Sequence, residues 1–289
     1  SFLFPERFAT SFDFGNQGAL PTHPELLDFL AIKLREDGWD TKKILKYIAL
    51  SATYQQQTNI AKEALEKDPM NKLLARAPRI RLSAEMIRDQ ALSISGLLNK
   101  EIGGPSVKPY QPEGLWKETT GGGGGSTASY IPSEGKDLYR KSLYTFWKRT
   151  VPPPSMMTFD ASSRDLCSVI RQETNTPLQA LVLLNDPQLI EASRVLASNA
   201  MTTGGDVTKK IKLIFKSATS RLPDAEELDE LNGYYANMLS KIQNEEVNAA
   251  DYLSIGASKL DKTMAVEELA ALTLTAHTIL NLDETITKG

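Results

Sequence analysis

Between Tyr144 and Asn175 the chain concentrates the side chains best suited to binding or transforming a substrate: Trp147, Lys148, Arg149, Asp160, Arg164, Asp165, Arg171, Gln172, Thr174 and Asn175. An indole offers an apolar face for a sugar ring, while guanidinium and amide groups supply planar hydrogen bonds at its rim, and an arginine can clamp a carboxylate. Used catalytically, Trp147 would stack on a pyranose, Asp160 or Asp165 would serve as acid or base, and Arg164 and Arg171 would orient the substrate. Arg149, Gln172 and Asn175 complete the candidate ligand set. Glycoside chemistry would require two carboxylates about 5 to 9.5 Å apart across an open cleft. The same residues have a second use. A long irregular segment must satisfy its own backbone groups, and charged and amide side chains do so by tying it to a helical body. The reading preferred from the sequence is this anchoring network.

Other reactive groups carry less. Glu85 and Asp89 stand four apart, on one helical face, which suits paired-carboxylate chemistry. Arg81 and Arg88 are near enough to neutralise them, and a glutamate in a first turn already favours the helix dipole. Cys167 lacks a local Cys-His signature and reads as a small packed thiol. His23 and His277 form no H-x-x-x-H pair, and each reads as structural. A single cysteine excludes an internal disulfide, a CxxC pair and haem attachment through C-x-x-C-H. No cofactor is expected in this chain. Gly121 to Gly125 is a flexible tract with no lysine for a phosphate loop.

Helices must position these groups. Thr22-His23-Pro24-Glu25 reads as a helix start with Thr22 as the capping hydroxyl, followed by Leu26, Leu27, Leu30, Ile32 and Leu34 until Asp37-Gly38. Asp40 caps a second helix, making a helical hairpin. Ser83 opens another with Ile87, Ala91, Ile94 and Leu98 on its stripe, closed by Gly103-Gly104-Pro105. Leu143 to Trp147 is the strand candidate, and Pro152-Pro153-Pro154 favours an extended polyproline segment. Thr176-Pro177-Leu178-Gln179 is a capping box, and the all-round apolar run Ala180 to Leu184 predicts a buried helix forming the core axis. Asp186 caps the next helix. Three more follow, from Val207 to Ala218, from Asp224 (boxed by Glu227) to about Ile242, and from Val266 to Leu280.

This pattern predicts a mainly α, irregular multi-helix bundle with a loop-rich centre and at most a small β-hairpin or sheet. One unit spanning 1–289 is expected, with N-terminal helices over 1–102, a loop-rich insertion over 103–175 containing a flexible 119–129, and C-terminal helices over 176–289. At 289 residues and 31.9 kDa the chain buries a core without staples. With 41% hydrophobic and 24% charged residues, neither global disorder nor a fibre fits. A net charge of −3 removes the basic footprint of a nucleic-acid binder. No apolar run reaches the length of a membrane span. The start, Ser1-Phe2-Leu3, has neither an initiator Met nor a signal peptide, and reads as a mature form or a piece of a longer protein.

Several stretches resemble a known family in order along nearly the whole chain. They are Gly15-Asn16-Gln17-Gly18, Pro21 to Asp28, Gly38-Trp39-Asp40, Ser51-Ala52-Thr53-Tyr54, Arg81 to Asp89, Gly103 to Val107, Tyr139-Arg140 to Thr150, Thr174 to Leu181, and Asn281-Leu282-Asp283-Glu284. Together they resemble a planctomycete-type domain of unknown function, found as the C-terminal part of large exported bacterial proteins that often also carry a cytochrome-c-like domain. Ile170 departs from the pattern, standing where a basic residue is expected. The resemblance implies an exported, periplasmic or cell-surface location, with partners among the parent's other domains, including a c-type cytochrome domain that would hold any haem. Glycans are a further expected ligand, and no catalytic residue carries over. The function expected is a non-catalytic interaction or scaffold module. Alternatives are an enzyme acting on extracellular polysaccharide or sugars and a docking partner of the cytochrome domain.

Overall fold

The computed structural model describes residues 20–58, 61–119, 129–164 and 171–288. Its contacts group the chain into two compact units, one of 1–81, 166–172 and 287–289 and one of 82–165 and 173–286. In the first, helices α1 (Pro24–Glu36) and α2 (Thr41–Ala49) form the expected hairpin, followed by a short α3 (Lys62–Lys67). The turn uses Gly38 at φ +72°, and Asp40 caps α2 by accepting from the Lys42 and Lys43 amides. The start of α1 differs from expectation. His23 occupies the cap without a side-chain bond to the helix, and Thr22 Oγ1 instead lies 3.0 Å from His23 Nδ1. None of α1, α2 or α3 buries a side chain. Strand β1 (Ile80–Arg81) pairs antiparallel with β2 (Thr287–Lys288), Ile80 facing Lys288.

The second unit begins with α4 (Ala84–Ser95), capped by Ser83 through the Met86 amide. A loop-rich stretch contains α5 (Leu115–Thr119), two 3-10 turns (Gly135–Tyr139 and Ser142–Tyr144) and α6 (Pro154–Thr158). Then come α7 (Pro177–Asn185), α8 (Pro187–Thr202), α9 (Val207–Thr219), α10 (Ala225–Gln243), α11 (Ala249–Leu253), α12 (Val266–Leu280) and α13 (Asp283–Ile286). The chain is mainly α, and β1 with β2 makes the one sheet among the described residues.

The core axis is α12, packed against α8, α9 and α10, while α8 also packs on α4. Every residue from Leu269 to His277 is buried, as are Ile279 and Leu280. Fully buried Ala270, Ala271 and Ala276 on α12, with Ala192 and Ala197 on α8, give both helices small side chains, which permit close helix approach. Buried hydroxyls need partners, and Thr273 and Thr275 donate to the carbonyls of Leu269 and Ala271 one turn earlier.

Several expectations are corrected. The apolar run of α7 is not the axis: only Gln179 and Leu183 are buried, and Leu178, Leu181 and Leu184 are each more than half exposed. The helix from Ser83 stops at Gly96, whose φ of +81° reverses the chain before Leu98, so Gly103-Gly104 closes nothing. Leu143 to Trp147 is not a strand, because Ser142–Tyr144 coils into a 3-10 turn and Thr145 makes only an isolated bridge with Val107. Pro153 and Pro154 cap and start α6 rather than extending a polyproline run, the fixed proline φ serving equally at a helix N-terminus. Gly121 to Gly125 lies outside the described residues.

Candidate functional site

The structure brings two of the eight residues singled out in the sequence into direct contact. Trp147 and Arg164 meet, the guanidinium carbon lying 4.6 Å from the indole centroid, while Trp147 Nε1 donates to the Ser163 carbonyl at 2.9 Å. The indole also packs against the main core, so its rings serve stacking within the chain. Asp160 accepts from the Thr174 amide at 2.7 Å and from the Thr174 hydroxyl, which in turn accepts from Gln179 Nε2 at 3.1 Å. Gln179 Nε2 also donates to the Thr158 carbonyl, so Asp160 ties the approach to α7 back onto the end of α6. Arg149 and Asn175 are exposed on the second unit, and Arg171 and Gln172 are exposed on the first. Asp165, like Cys167 and Ile170, lies outside the described residues.

The polar centres of the second unit lie elsewhere. Arg88, on α4, threads into the loop-rich middle: Nη2 donates to the Leu138 carbonyl, Nη1 to the Arg140 carbonyl and Ser142 Oγ, and Nε to Gln188 Oε1 at 2.6 Å. Its neighbour Asp89 accepts from both the amide and the hydroxyl of Ser142. Asp89 thus holds a loop, which removes it from the carboxylate pair with Glu85. Arg140 continues the lattice, donating to the Pro105 and Gly103 carbonyls with its guanidinium 3.9 Å over the Tyr144 ring.

A second centre surrounds Glu191 of α8, fully buried. It accepts from Tyr139 at 2.8 Å, Tyr110 at 3.1 Å and the Ser258 amide at 2.6 Å, and lies 3.9 Å from Arg194 Nη2. Arg194 donates to the carbonyls of Ile255 and Ser258. Burial, helped by the Glu191 charge, pushes the Tyr110 hydroxyl up to about 12 and that of Tyr139 higher still. These groups fasten the loop after α11 to α8.

Between the two centres, α4, α6, α7 and α8, with the loop residues Pro109 to Gln111, line a partly open pocket of about 40 Å³ whose walls are the apolar Ile87, Met156, Phe159 and Leu189 and the polar Arg88, Tyr110, Gln111, Thr145, Ser155, Asp186 and Gln188. That volume accommodates roughly three water-sized groups, far below a saccharide ring. Thr145 Oγ1 and Gln188 Nε2 are buried and bond to no described group of the chain. Leaving such a group unsatisfied costs about 1–3 kcal/mol. Burial pushes the Asp186 carboxyl up, against the opposing pull of the Gln188 amide and Arg88. Gln188, Glu191 and Arg194 recur every third residue along α8, a polar stripe visible in the sequence but indistinguishable there from a solvated face.

His277 is structural, its buried ring placing Nε2 3.0 Å from the Leu183 carbonyl. His23 is exposed. No cluster of three or more metal-ligating side chains occurs among the described residues.

Residues 8–235 match the family model described as PSD1, protein of unknown function (DUF1553). The chain belongs to the PSD1 family. No curated protein and no solved structure matches it. The stretch matched to PSD1 ends inside α10, so α12, the most buried helix, is contributed by residues past it. The anchoring groups Arg88, Asp89, Arg140, Glu191 and Arg194 all fall within the PSD1 match. No helix among the described residues is long and apolar enough to cross a membrane.

Proposed function

We propose that this PSD1 chain is a non-catalytic interaction or scaffold module of a larger exported protein, periplasmic or cell-surface, associated with redox or glycan chemistry. The supporting observation is the commitment of its charged side chains: Arg88 alone bonds to three separate residues of the loop-rich middle and to Gln188 of α8. Side chains so engaged fix a surface in shape rather than move protons. Asp160 and Trp147, the leading candidates for sugar chemistry, are spent on Thr174 and on Ser163 with Arg164. The test is incubation of the chain with a polysaccharide and sugar panel, alongside Asp160→Asn and Arg164→Gln. No turnover by any of the three is expected; turnover by the wild type that either substitution abolishes would establish the enzyme reading instead.

One observation favours docking to a c-type cytochrome domain of the parent. Leu178, Leu181 and Leu184 recur every third residue on α7 and stay exposed, and exposed apolar patches mark interaction faces. On this reading the isolated cytochrome domain binds the chain weakly, as small redox encounters do, and Leu181→Lys lowers that affinity in a calorimetric titration. Equal affinity for both proteins would count against it.

A further inference from the structure

We propose that the outer face of α2 docks on the surface of an anionic phospholipid bilayer. This inference does not depend on the scaffold reading. The helix carries Lys42, Lys43 and Lys46 and no acidic residue. Its half-buried side chains are those of Ile44 and Ile48, one turn apart, so this edge meets α1, with which α2 packs. At about 100° per residue the opposite edge is centred on Lys42 and Lys46, flanked by Leu45 on one side and by Lys43 and Leu50 on the other. Leu45 and Leu50 are 56% and 65% exposed, and Trp39, in the turn leading into α2, is 70% exposed. Cations interleaved with large apolar groups on one outward face suit a helix lying at a lipid interface, where ammonium groups meet lipid phosphates while leucine and indole enter the boundary with the acyl chains.

Charge gives the face its direction. Asp37 is held by Lys33 at 3.6 Å and by Lys43 at 3.3 Å, and Asp40 accepts from the Lys42 and Lys43 amides at the cap. Glu25, Asp28 and Glu36 stand on the side of α1 turned away from its half-buried Leu26, Leu30 and Leu34. The hairpin is therefore acidic on its α1 side and basic on its α2 side, and a negative surface repels the first and attracts the second. Lys42 and Lys46 enter no ion pair with a described residue, which leaves their charge to such a partner.

The test uses the full chain with vesicles of phosphatidylcholine alone and of phosphatidylcholine mixed with phosphatidylglycerol. Binding is read by co-sedimentation, and insertion by vesicles with brominated acyl chains, which quench an indole among them. Binding to the phosphatidylglycerol vesicles alone is expected, falling as salt is raised, with quenching that Trp39→Phe removes while its binding persists. Lys42→Gln with Lys46→Gln should weaken binding about 25-fold, from roughly fivefold per lysine, whereas Lys42→Arg with Lys46→Arg should keep it. Leu45→Ser with Leu50→Ser should weaken it about tenfold or more. All these positions are exposed, so each variant should keep the wild-type circular dichroism. Equal binding to both vesicle types, binding to neither, unchanged affinity in the glutamine variant, or quenching that survives Trp39→Phe would each overturn the proposal. So would a dimer of the chain alone that the serine substitutions dissolve, which would assign the face to a second copy. Should the serine variant fail to fold, the glutamine variant decides.

Discussion

Glu191 shows what one carboxylate can organise. Two tyrosine hydroxyls, a backbone amide and Arg194 converge on a group with no solvent exposure. Replacing it by alanine strands the buried Arg194 charge, and breaking a buried pair in this way costs about 3–5 kcal/mol. Urea denaturation should show that loss for Glu191→Ala and a smaller one for Glu191→Gln, which keeps an acceptor. The tyrosines report the same centre. Their ionisation lies above the free value near 10 chiefly because they are buried, so between about pH 10 and 12 the native state holds protons that the unfolded chain has lost, and stability falls as pH rises there. In Glu191→Gln the Tyr110 titration, followed by ultraviolet absorbance, should move down from about 12 yet remain above 10, because desolvation persists when the charge is removed. Gly256 is bound to the same arrangement: its φ is +91°, and a Cβ there would run into the Glu191 carboxyl. Gly256→Ala should therefore destabilise by roughly 1–3 kcal/mol, and part of that should vanish in the Glu191→Ala background, the non-additivity expected of residues in contact.

Among the elements, α12 combines an apolar body with a titratable group. His277 is held below the usual histidine range by burial, with its Leu183 carbonyl partner opposing. The unfolded chain therefore takes up a proton that the native state refuses, so the stability His277 contributes is complete above about pH 6.5 and is lost as pH falls below it. Melting temperatures from pH 8 to 5 should decline with a shallower slope in His277→Gln than in the wild type. Much of this element order was legible in the sequence. Asp40, Ser83, Asp186 and Asp224 all cap helices as their spacing required, since capping is settled by one side chain and two or three neighbouring amides. Burial was less legible. The runs in α7 and α12 are both apolar all round, and only tertiary packing made α12 central and left α7 half exposed. The Leu143 to Trp147 stretch has strand propensity, but Asp89 captures Ser142 and bends it into a 3-10 turn, a long-range effect outside any local window. For the pocket, Gln188 and Thr145 carried no local signal, because each draws its importance from partners many positions away in sequence.

For the molecule as a whole, the buried apolar residues that make up the core among the described residues all belong to 82–286. The fragment 82–286, expressed alone, should accordingly keep helical circular dichroism and melt cooperatively, with calorimetry giving a midpoint within a few degrees of the full chain. A fragment that stays unfolded would show that residues outside it supply structure the core cannot do without. That fragment also begins and finishes in one place: the Leu82 amide donates to the Ile286 carbonyl at 2.9 Å. Polypeptide thus enters and leaves through a single doorway. A segment built this way is a natural cartridge, fit to be spliced into a surface turn of an unrelated host, or to have its two tips sewn together and a fresh break opened elsewhere, without its interior sensing the new chain order.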